Sequence, residues 1–217
     1  QENGKRIQWH TLSVPRGGEY KLVLADGTRV WLNAASELMY PDHFSADQRK
    51  VVLKGEAYFE VTKDVKRPFS VVLGDMEVKV LGTSFNVSAY PGVKRQTTLI
   101  EGQVAVNWHR QQVVIRPGQQ AAETDEGLRV ASVNVMNYVG WKEHRFVYEN
   151  KLLGEVLEDL ERWYDVEVFV MHDEIRNLHL TANLPRYENM DKVLEIIEYA
   201  ACVKFEVKGR TVVVRRD

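Results

Sequence analysis

The sequence predicts an α+β protein, in which an N-terminal all-β domain with a solenoid-like or sandwich-like fold precedes a small C-terminal β-α-β repeat domain. Between Glu19 and Val133 the chain consists of short runs in which apolar and polar residues alternate, as expected for half-buried strands. Turn residues interrupt these runs about every 8 to 12 positions, a spacing typical of all-β architectures. After Asn134 two segments show helical periodicity. We therefore predict one domain over residues 1–136 and a second over residues 137–217.

Short strands fill the predicted first domain, and only Ser45–Arg49 suggests a helical turn. Asp26-Gly27-Thr28 separates the first two strands, and Asp-Gly between alternating runs indicates a hairpin because Gly accepts a positive φ. Gly55 is expected to end one strand before the next begins. The predicted strands are Tyr20–Leu24, Arg29–Asn33, Lys50–Leu53, Ala57–Val61, Phe69–Leu73, Glu77–Leu81, Ser84–Tyr90, Gln96–Ile100, Gln103–Trp108, Gln112–Ile115 and Leu128–Val133.

The second domain is predicted to contain the same β-α-β unit twice. Tyr148-Glu149-Asn150 recurs as Tyr187-Glu188-Asn189, although a chance similarity between two amphipathic helices is the alternative. Asn150 is a plausible N-cap for the first helix. Such a repeat predicts one small sheet with both helices on one face. The predicted elements are strand Arg145–Tyr148, helix Lys151–Tyr164, strand Val166–Val170, strand Leu178–Ala182, helix Met190–Ala201, strand Val203–Val207 and strand Thr211–Arg215.

Composition excludes few function classes. The 29 basic and 31 acidic residues give no electrostatic case for binding nucleic acid or an anionic membrane. Cys202 is the single cysteine, so no intrachain disulfide forms, and its apolar surroundings predict a buried thiol. No apolar run reaches the ~18 to 20 residues of a membrane span. The polar opening before Ile7 is expected to be the trimmed start of a longer chain.

The sequence contains no recognisable catalytic or metal-binding motif. Its six histidines are scattered and form no pair with metal-ligand spacing, so we expect no metal, no cofactor and no enzyme activity. Glu56 and Glu60 share one strand face, as expected for the polar side of a half-buried sheet rather than for a catalytic pair.

The Gly82-Thr83 bond is a candidate for self-cleavage. A threonine hydroxyl can attack the preceding carbonyl if the peptide is strained, and a glycine on the acyl side makes that approach sterically easy. The alternative is an ordinary strand connection, in which Gly82 adopts a conformation closed to other residues.

Three aromatic residues suggest a further, weaker alternative. Trp31, Trp108 and Tyr90 could act as stacking platforms in a carbohydrate-binding β module. Burial in the core is the more common reason for aromatic residues in strands.

Several ordered motifs closely resemble the periplasmic domain of FecR-type anti-sigma factors. These motifs are VPRGGEYKLVLADGTRVWLNAASELMYP (14–41), GEAYFEV (55–61), VLGTSFNVSAY (80–90), Glu101-Gly102-Gln103-Val104 and Pro117-Gly118-Gln119. Residues 141–217 resemble the C-terminal domain of Bacteroidetes-type members, which is similar to the secretin/TonB short N-terminal module.

The resemblance implies a regulator of cell-surface signalling. A cytoplasmic domain outside this chain would bind an extracytoplasmic-function sigma factor, and a single membrane helix outside it would anchor the protein in the inner membrane. The present residues would form the periplasmic portion, which contacts the signalling domain of a TonB-dependent outer-membrane transducer. Some members of the family self-cleave at a Gly-Thr bond, which the resemblance places at Gly82-Thr83.

The last two strands are the predicted binding surface. Strands so close to the end of the repeat could offer a free edge for β-augmentation, in which main-chain hydrogen bonds hold a partner strand. The residues that we expect to contribute are Val203, Phe205, Val207, Val212 and Val214.

Overall fold

A computed structural model describes residues 6–217 of the chain, so that the first five residues of the polar opening lie outside it. The fold is mostly β, with a small C-terminal part that contains both strands and helices. Two compact units are present: unit 1 contains the residues up to Pro15 and Glu19–Val135, and unit 2 contains Arg16–Gly18 and Met136–Asp217. The sequence predicts two domains, 1–136 and 137–217. That these two ranges fold independently of each other remains a proposal.

Unit 1 is built from strands, and three of them, β1, β4 and β12, are not predicted from the sequence. The strands are β1 Trp9–Val14, β2 Tyr20–Val23, β3 Arg29–Leu32, β4 Ser36–Pro41, β5 Arg49–Glu60, β6 Phe69–Leu73, β7 Met76–Val80, β8 Ser84–Ala89, β9 Gln96–Glu101, β10 Val104–Trp108, β11 Gln111–Ile115, β12 Gln119–Thr124 and β13 Gly127–Ser132. β1 is largely exposed, and β4 buries a serine, Ser36, at an inward position. β12 lacks β-branched residues over most of its length. Each therefore lacks the apolar alternation that reveals a strand. Ser45–Arg49 is not helical.

Strand pairing within residues 6–217 divides unit 1 into two halves that share β5. One half has the order β1-β4-β5-β6-β7-β10-β11, and the other has the order β2-β3-β5-β8-β9-β12-β13. β5 pairs with β4 and β6 through its first half and with β3 and β8 through its second half. Apolar side chains from both halves meet in one core, where Phe59 of one half lies 6.1 Å from Phe69 of the other, measured between ring centroids.

Gly55 lies where β5 passes from one half to the other. The predicted strand break at this position is wrong, because β5 runs without interruption from Arg49 to Glu60. Gly55 has φ +90°, and a Cβ atom here would lie 2.4 Å from Ser36 Oγ. The glycine therefore allows a turn within a continuous strand and a close approach of β4.

The Asp26-Gly27-Thr28 turn joins β2 and β3 as predicted, but the loop is longer than a two-residue hairpin turn. Val23 pairs with Arg29, which leaves five residues, 24–28, in the loop. Asp26 Oδ1 accepts from the Thr28 amide at 3.0 Å, and Asp26 Oδ2 accepts from the Thr28 hydroxyl at 2.7 Å. The loop is thus closed by a side chain as well as by the backbone.

Unit 2 contains three α-helices, two short 3-10 helices and five strands within its described residues. The elements are α1 Met136–Val139, a 3-10 helix Gly140–Glu143, β14 Arg145–Leu152, α2 Leu153–Tyr164, β15 Glu167–Val170, a 3-10 helix Asp173–Asn177, β16 His179–Pro185, α3 Met190–Ala201, β17 Val203–Lys208 and β18 Thr211–Arg216. β14 and β16 form an antiparallel pair, and β15, β18 and β17 form a second sheet with β18 in the centre.

The two long helices each contact both small sheets of unit 2. α2 packs against β14, β16 and β15, and α3 packs against β16 and β17. The prediction of one sheet with both helices on one face is therefore wrong. Each helix is amphipathic, and its apolar face is covered by strands of both sheets.

The β-α-β repeat is present, but its first helix begins later than predicted. Asn189 caps α3 by accepting a hydrogen bond from the Asp191 amide at 2.9 Å. Asn150 is not a cap: it has φ +51° and lies in an irregular part of β14, and the residue that precedes α2 is Leu152. The helices match at an offset of 37 residues (153 against 190), whereas the two asparagines are 39 residues apart.

Candidate functional site

The three-stranded sheet of unit 2 contains the residues predicted to bind a partner. β18 pairs with β15 on one side and with β17 on the other, so it has no free edge. Val212 and Val214 on β18 are buried in the core, as is Val203 on β17. Strand pairing with a partner is consequently open to β17, but not to β18.

The side chains of β17 become more exposed from the start of the strand to its end. Phe205 is half-buried, and Val207 is 40% exposed at the end of the strand that approaches the turn. Among the described residues β17 pairs with β18 alone, so its opposite backbone edge faces away from the sheet. This edge brings Val203, Phe205 and Val207 together, with Val212 and Val214 as their neighbours on the next strand.

Two glutamates that the sequence does not single out contact the edges of this sheet. Glu161 Oε1 accepts a hydrogen bond from the Val168 amide of β15 at 2.7 Å. Glu198 Oε1 accepts from the Phe205 amide of β17 at 2.6 Å. A signal for both exists in the sequence, because in each half of the repeat the glutamate precedes the strand residue by seven positions.

A partly buried charge cluster lies between α2 and β14. Asp159 accepts from Lys151 Nζ at 2.7 Å and from Arg162 Nη2 at 2.5 Å. Burial raises the pKa of Asp159, but the positive charges of Lys151 and Arg162 outweigh that effect, and the pKa lies below its ordinary value. Burial, followed by the charge of Asp159, raises the pKa of Tyr148 well above its ordinary value. The cluster links α2 to β14 and thereby stabilises unit 2.

Arg186 is the centre of a cation–aromatic cluster in unit 2. Its guanidinium lies 3.8 Å from the ring centroid of Trp163 and 5.8 Å from those of Trp141 and Phe146. The side chain is 2% exposed, and Nη1 donates to the Trp141 carbonyl at 3.2 Å. These aromatic faces stabilise a buried charge and leave it inaccessible to a ligand.

The Gly82-Thr83 bond lies in a tightly packed connection between β7 and β8. A Cβ atom on Gly82 would lie 2.6 Å from Lys63 Cα, and φ is +156°. Thr83 is buried, and its hydroxyl donates to the Gln103 carbonyl at 3.2 Å. The described residues bring neither a histidine nor a carboxylate into hydrogen-bond contact with this hydroxyl. The packing explains the glycine without a cleavage reaction.

The three aromatic residues considered as stacking platforms are in different environments. Tyr90 is buried, and its hydroxyl donates to the Ala34 carbonyl at 2.9 Å. Trp31 and Trp108 are only partly buried, and of these two Trp108 packs against the core of unit 1. Lys21 Nζ lies 4.5 Å from the Trp31 ring centroid, and the Arg95 guanidinium lies 5.5 Å from the Trp108 centroid. A cation therefore covers one face of each ring.

The acidic residues of β5 take part in structural contacts. Glu56 accepts from the side-chain amides of Asn33 at 2.7 Å and Asn86 at 2.9 Å. Glu60 pairs with Arg29 at 2.5 Å. In the part of the chain that the structure covers, no group of three or more His, Cys, Asp or Glu side chains could hold a metal ion. Cys202 is exposed at the C-cap of α3, which contradicts the prediction of a buried thiol.

None of the helices in residues 6–217 combines the length and the apolar character needed to cross a membrane.

Two family models and two crystal structures are similar to this chain. Residues 10–105 match the model described as FecR protein, and residues 145–214 match the model described as FecR, C-terminal. Both structures are described as an anti-sigma factor candidate from Parabacteroides distasonis and are 26% identical to this chain. The match to the first covers 96% of this chain and 99% of that one with a TM-score of 0.89. The match to the second covers 97% and 100% with a TM-score of 0.90. No curated protein matches.

Proposed function

Because the chain belongs to the FecR family of anti-sigma factors, we propose that it receives a periplasmic signal by binding the signalling domain of a TonB-dependent outer-membrane transducer. Membership implies a regulatory protein that acts on a sigma factor. In our proposal the sigma factor binds a cytoplasmic domain outside these 217 residues. An inner-membrane helix, also outside them, connects that domain to the periplasmic portion described above.

The observation that carries the proposal is the outer backbone edge of β17, which pairs with no other strand among residues 6–217. An edge strand presents N–H and C=O groups at regular spacing, and an extended segment of another protein can pair with them. β17 is six residues long, about the length of an ordinary strand, and it pairs with β18, whose Val212 and Val214 are buried. Val203, Phe205 and Val207 would supply the paired backbone, and Val212 and Val214 would support it from β18.

Binding can be measured by titrating the chain with the signalling domain of its cognate transducer in a calorimeter. The proposal predicts a heat of binding with a dissociation constant well below about 1 mM, the value that corresponds to about −4 kcal/mol. An affinity no tighter than that would contradict the proposed function.

A proline at position 207 tests whether β17 is the edge that binds. The Phe205 amide points away from β18, since it is donated to Glu198, and in an antiparallel pair the amide two residues later points the same way. Val207→Pro therefore removes an outward donor while sparing the bonds between β17 and β18. We expect at least about tenfold weaker binding, the effect of about 1.4 kcal/mol.

Val207→Thr is the matched control, because it keeps the amide and a β-branched side chain. We expect Val207→Thr to bind like the unmodified chain. Equal affinity of the proline and threonine variants would exclude pairing at β17.

A further inference from the structure

The outer edges of the three-stranded sheet are each held by a carboxylate from the preceding helix. On β15, Glu167 donates its amide to Arg210 O at 2.8 Å, and Met171 donates its amide to Val214 O at 2.9 Å, both toward β18. Amides alternate in direction along a strand, so the Val168 amide points outward, where Glu161 accepts it. Edge amides of this kind are the groups with which a foreign strand pairs.

The same contact occurs at the same position in both halves of the repeat. Glu161 and Glu198 each lie four residues before the left-handed residue that ends their helix, Asp165 or Cys202. The backbone carbonyl of each glutamate accepts the amide of that left-handed residue. Each glutamate therefore occupies the same position in the last helical turn, and from there its carboxylate reaches the following strand.

The edges of β15 and β17 differ in how much backbone remains open to a partner strand beside the glutamate contact. β15 has four residues, whereas β17 has six and extends past Phe205 to the exposed Val207. Glu198 is also held from its other oxygen, because Lys204 Nζ lies 3.4 Å from Oε2. Both oxygens of Glu198 are thus in contact with β17, and Oε1 occupies the Phe205 amide while Val207 remains exposed.

We propose that Glu198 is a latch on β17: its carboxylate occupies the position on the Phe205 amide that a backbone carbonyl of a pairing strand would take. One N–H group cannot serve both acceptors fully, so a strand that pairs with β17 must displace the carboxylate. The occupant is an extended backbone segment of the transducer's signalling domain, and this part of the inference rests on the proposed function.

Amide hydrogen exchange of the full chain, followed by NMR, tests the latch without a partner. Glu198→Ala removes the acceptor, and we expect the Phe205 amide to exchange about tenfold faster, because a hydrogen bond to a charged group is lost. Glu198→Gln keeps an oxygen acceptor, and we expect its Phe205 amide to remain much closer to the unmodified rate.

Glu195→Ala is the matched control, since Glu195 lies on the same helix, is exposed and makes none of the polar contacts described above. It should leave the Phe205 amide unchanged. Equal exchange rates in Glu198→Ala and Glu195→Ala would overturn the latch.

Titration with the transducer's signalling domain tests the competition. We expect Glu198→Ala to bind about tenfold more tightly than the unmodified chain, because the Phe205 amide is already free. Unchanged affinity together with faster exchange would show that the partner does not pair at Phe205 and would overturn the competition. If no chain binds, the proposed function fails, while the exchange rates still decide whether the latch exists.

Discussion

Replacing Asp26 with alanine is expected to destabilise unit 1 strongly, because it leaves a buried guanidinium without its counter-ion. The Arg49 side chain is 0% exposed and Asp26 is 5% exposed, and Arg49 Nη1 lies 2.8 Å from Asp26 Oδ2. Arg49 also donates to the carbonyls of Thr62 at 2.7 Å and Arg67 at 2.9 Å, which hold it in place when the carboxylate is removed.

The expected cost is about 4 kcal/mol, the usual loss when one partner of a buried ion pair is removed. This loss of stability should raise the exchange rate of the β5 amides about a thousandfold, for those amides that exchange only when unit 1 opens globally. Peptide-resolved hydrogen exchange of the full chain is a suitable assay, because it reports unit 1 separately from unit 2. A chain with two units does not guarantee a single two-state transition in urea.

A partly exposed ion pair between β3 and β5 provides the control. Arg29 and Glu60 are 57% and 22% exposed, and we expect Glu60→Ala to cost less than about 1 kcal/mol. Adding Arg49→Met to Asp26→Ala should recover part of the loss, since the unpaired charge is then gone. A cost for Asp26→Ala no larger than that for Glu60→Ala would refute the reasoning.

Four further outcomes are expected. Gly55→Ala should lower the melting temperature more than Gly92→Ala, because both glycines have a positive φ but only the first Cβ would collide with a neighbour; equal shifts would contradict the close approach. Because the pKa of Asp159 is lowered in the folded state, its ionised form stabilises the fold at pH values above the ordinary pKa of 3.8, and this stabilisation is lost as pH falls through the lower folded pKa. Asp159→Asn should therefore weaken the fall in unfolding free energy with decreasing pH in the acid range, measured by denaturant unfolding. Burial raises the pKa of Tyr164 to about 12, so this group contributes stability below pH 10 that is lost as pH rises through 12, and Tyr164→Phe should reduce the ultraviolet ionisation signal in that range. Freshly refolded protein should give one band on a denaturing gel over days, whereas two fragments that vanish in Thr83→Ala would establish self-cleavage.

Sequence periodicity and capping residues predict an element correctly where the packing of the folded chain favours the same bounds. The helix Met190–Ala201 is predicted from its periodicity, and the structure confirms it with the same bounds. Its cap, Asn189, is a capping residue that is not predicted from the sequence. Asn150 has the same local sequence as Asn189, but it lies two positions too early for the helix that tertiary packing starts at Leu153. A capping motif alone does not fix where a helix begins.

Contacts between distant residues account for what the sequence does not reveal. Nothing in the local sequence around Arg49 indicates burial, because its partner Asp26 lies 23 positions away and reaches it only through the pairing of β5. The edge strand of the candidate site follows from the repeat, but the central position of β18 depends on the parallel pairing of β15 with a strand more than 40 residues later. No periodicity encodes that pairing.

The sharing of β5 between the two halves of unit 1 has a mechanical consequence. Neither half can peel away while the other stays intact, because both would have to release the same strand. If the ends of unit 1 are pulled in a single-molecule experiment, we expect one rupture event rather than two. A domain built in this way transmits a load without yielding in steps, so any movement within unit 1 has to occur outside the shared strand.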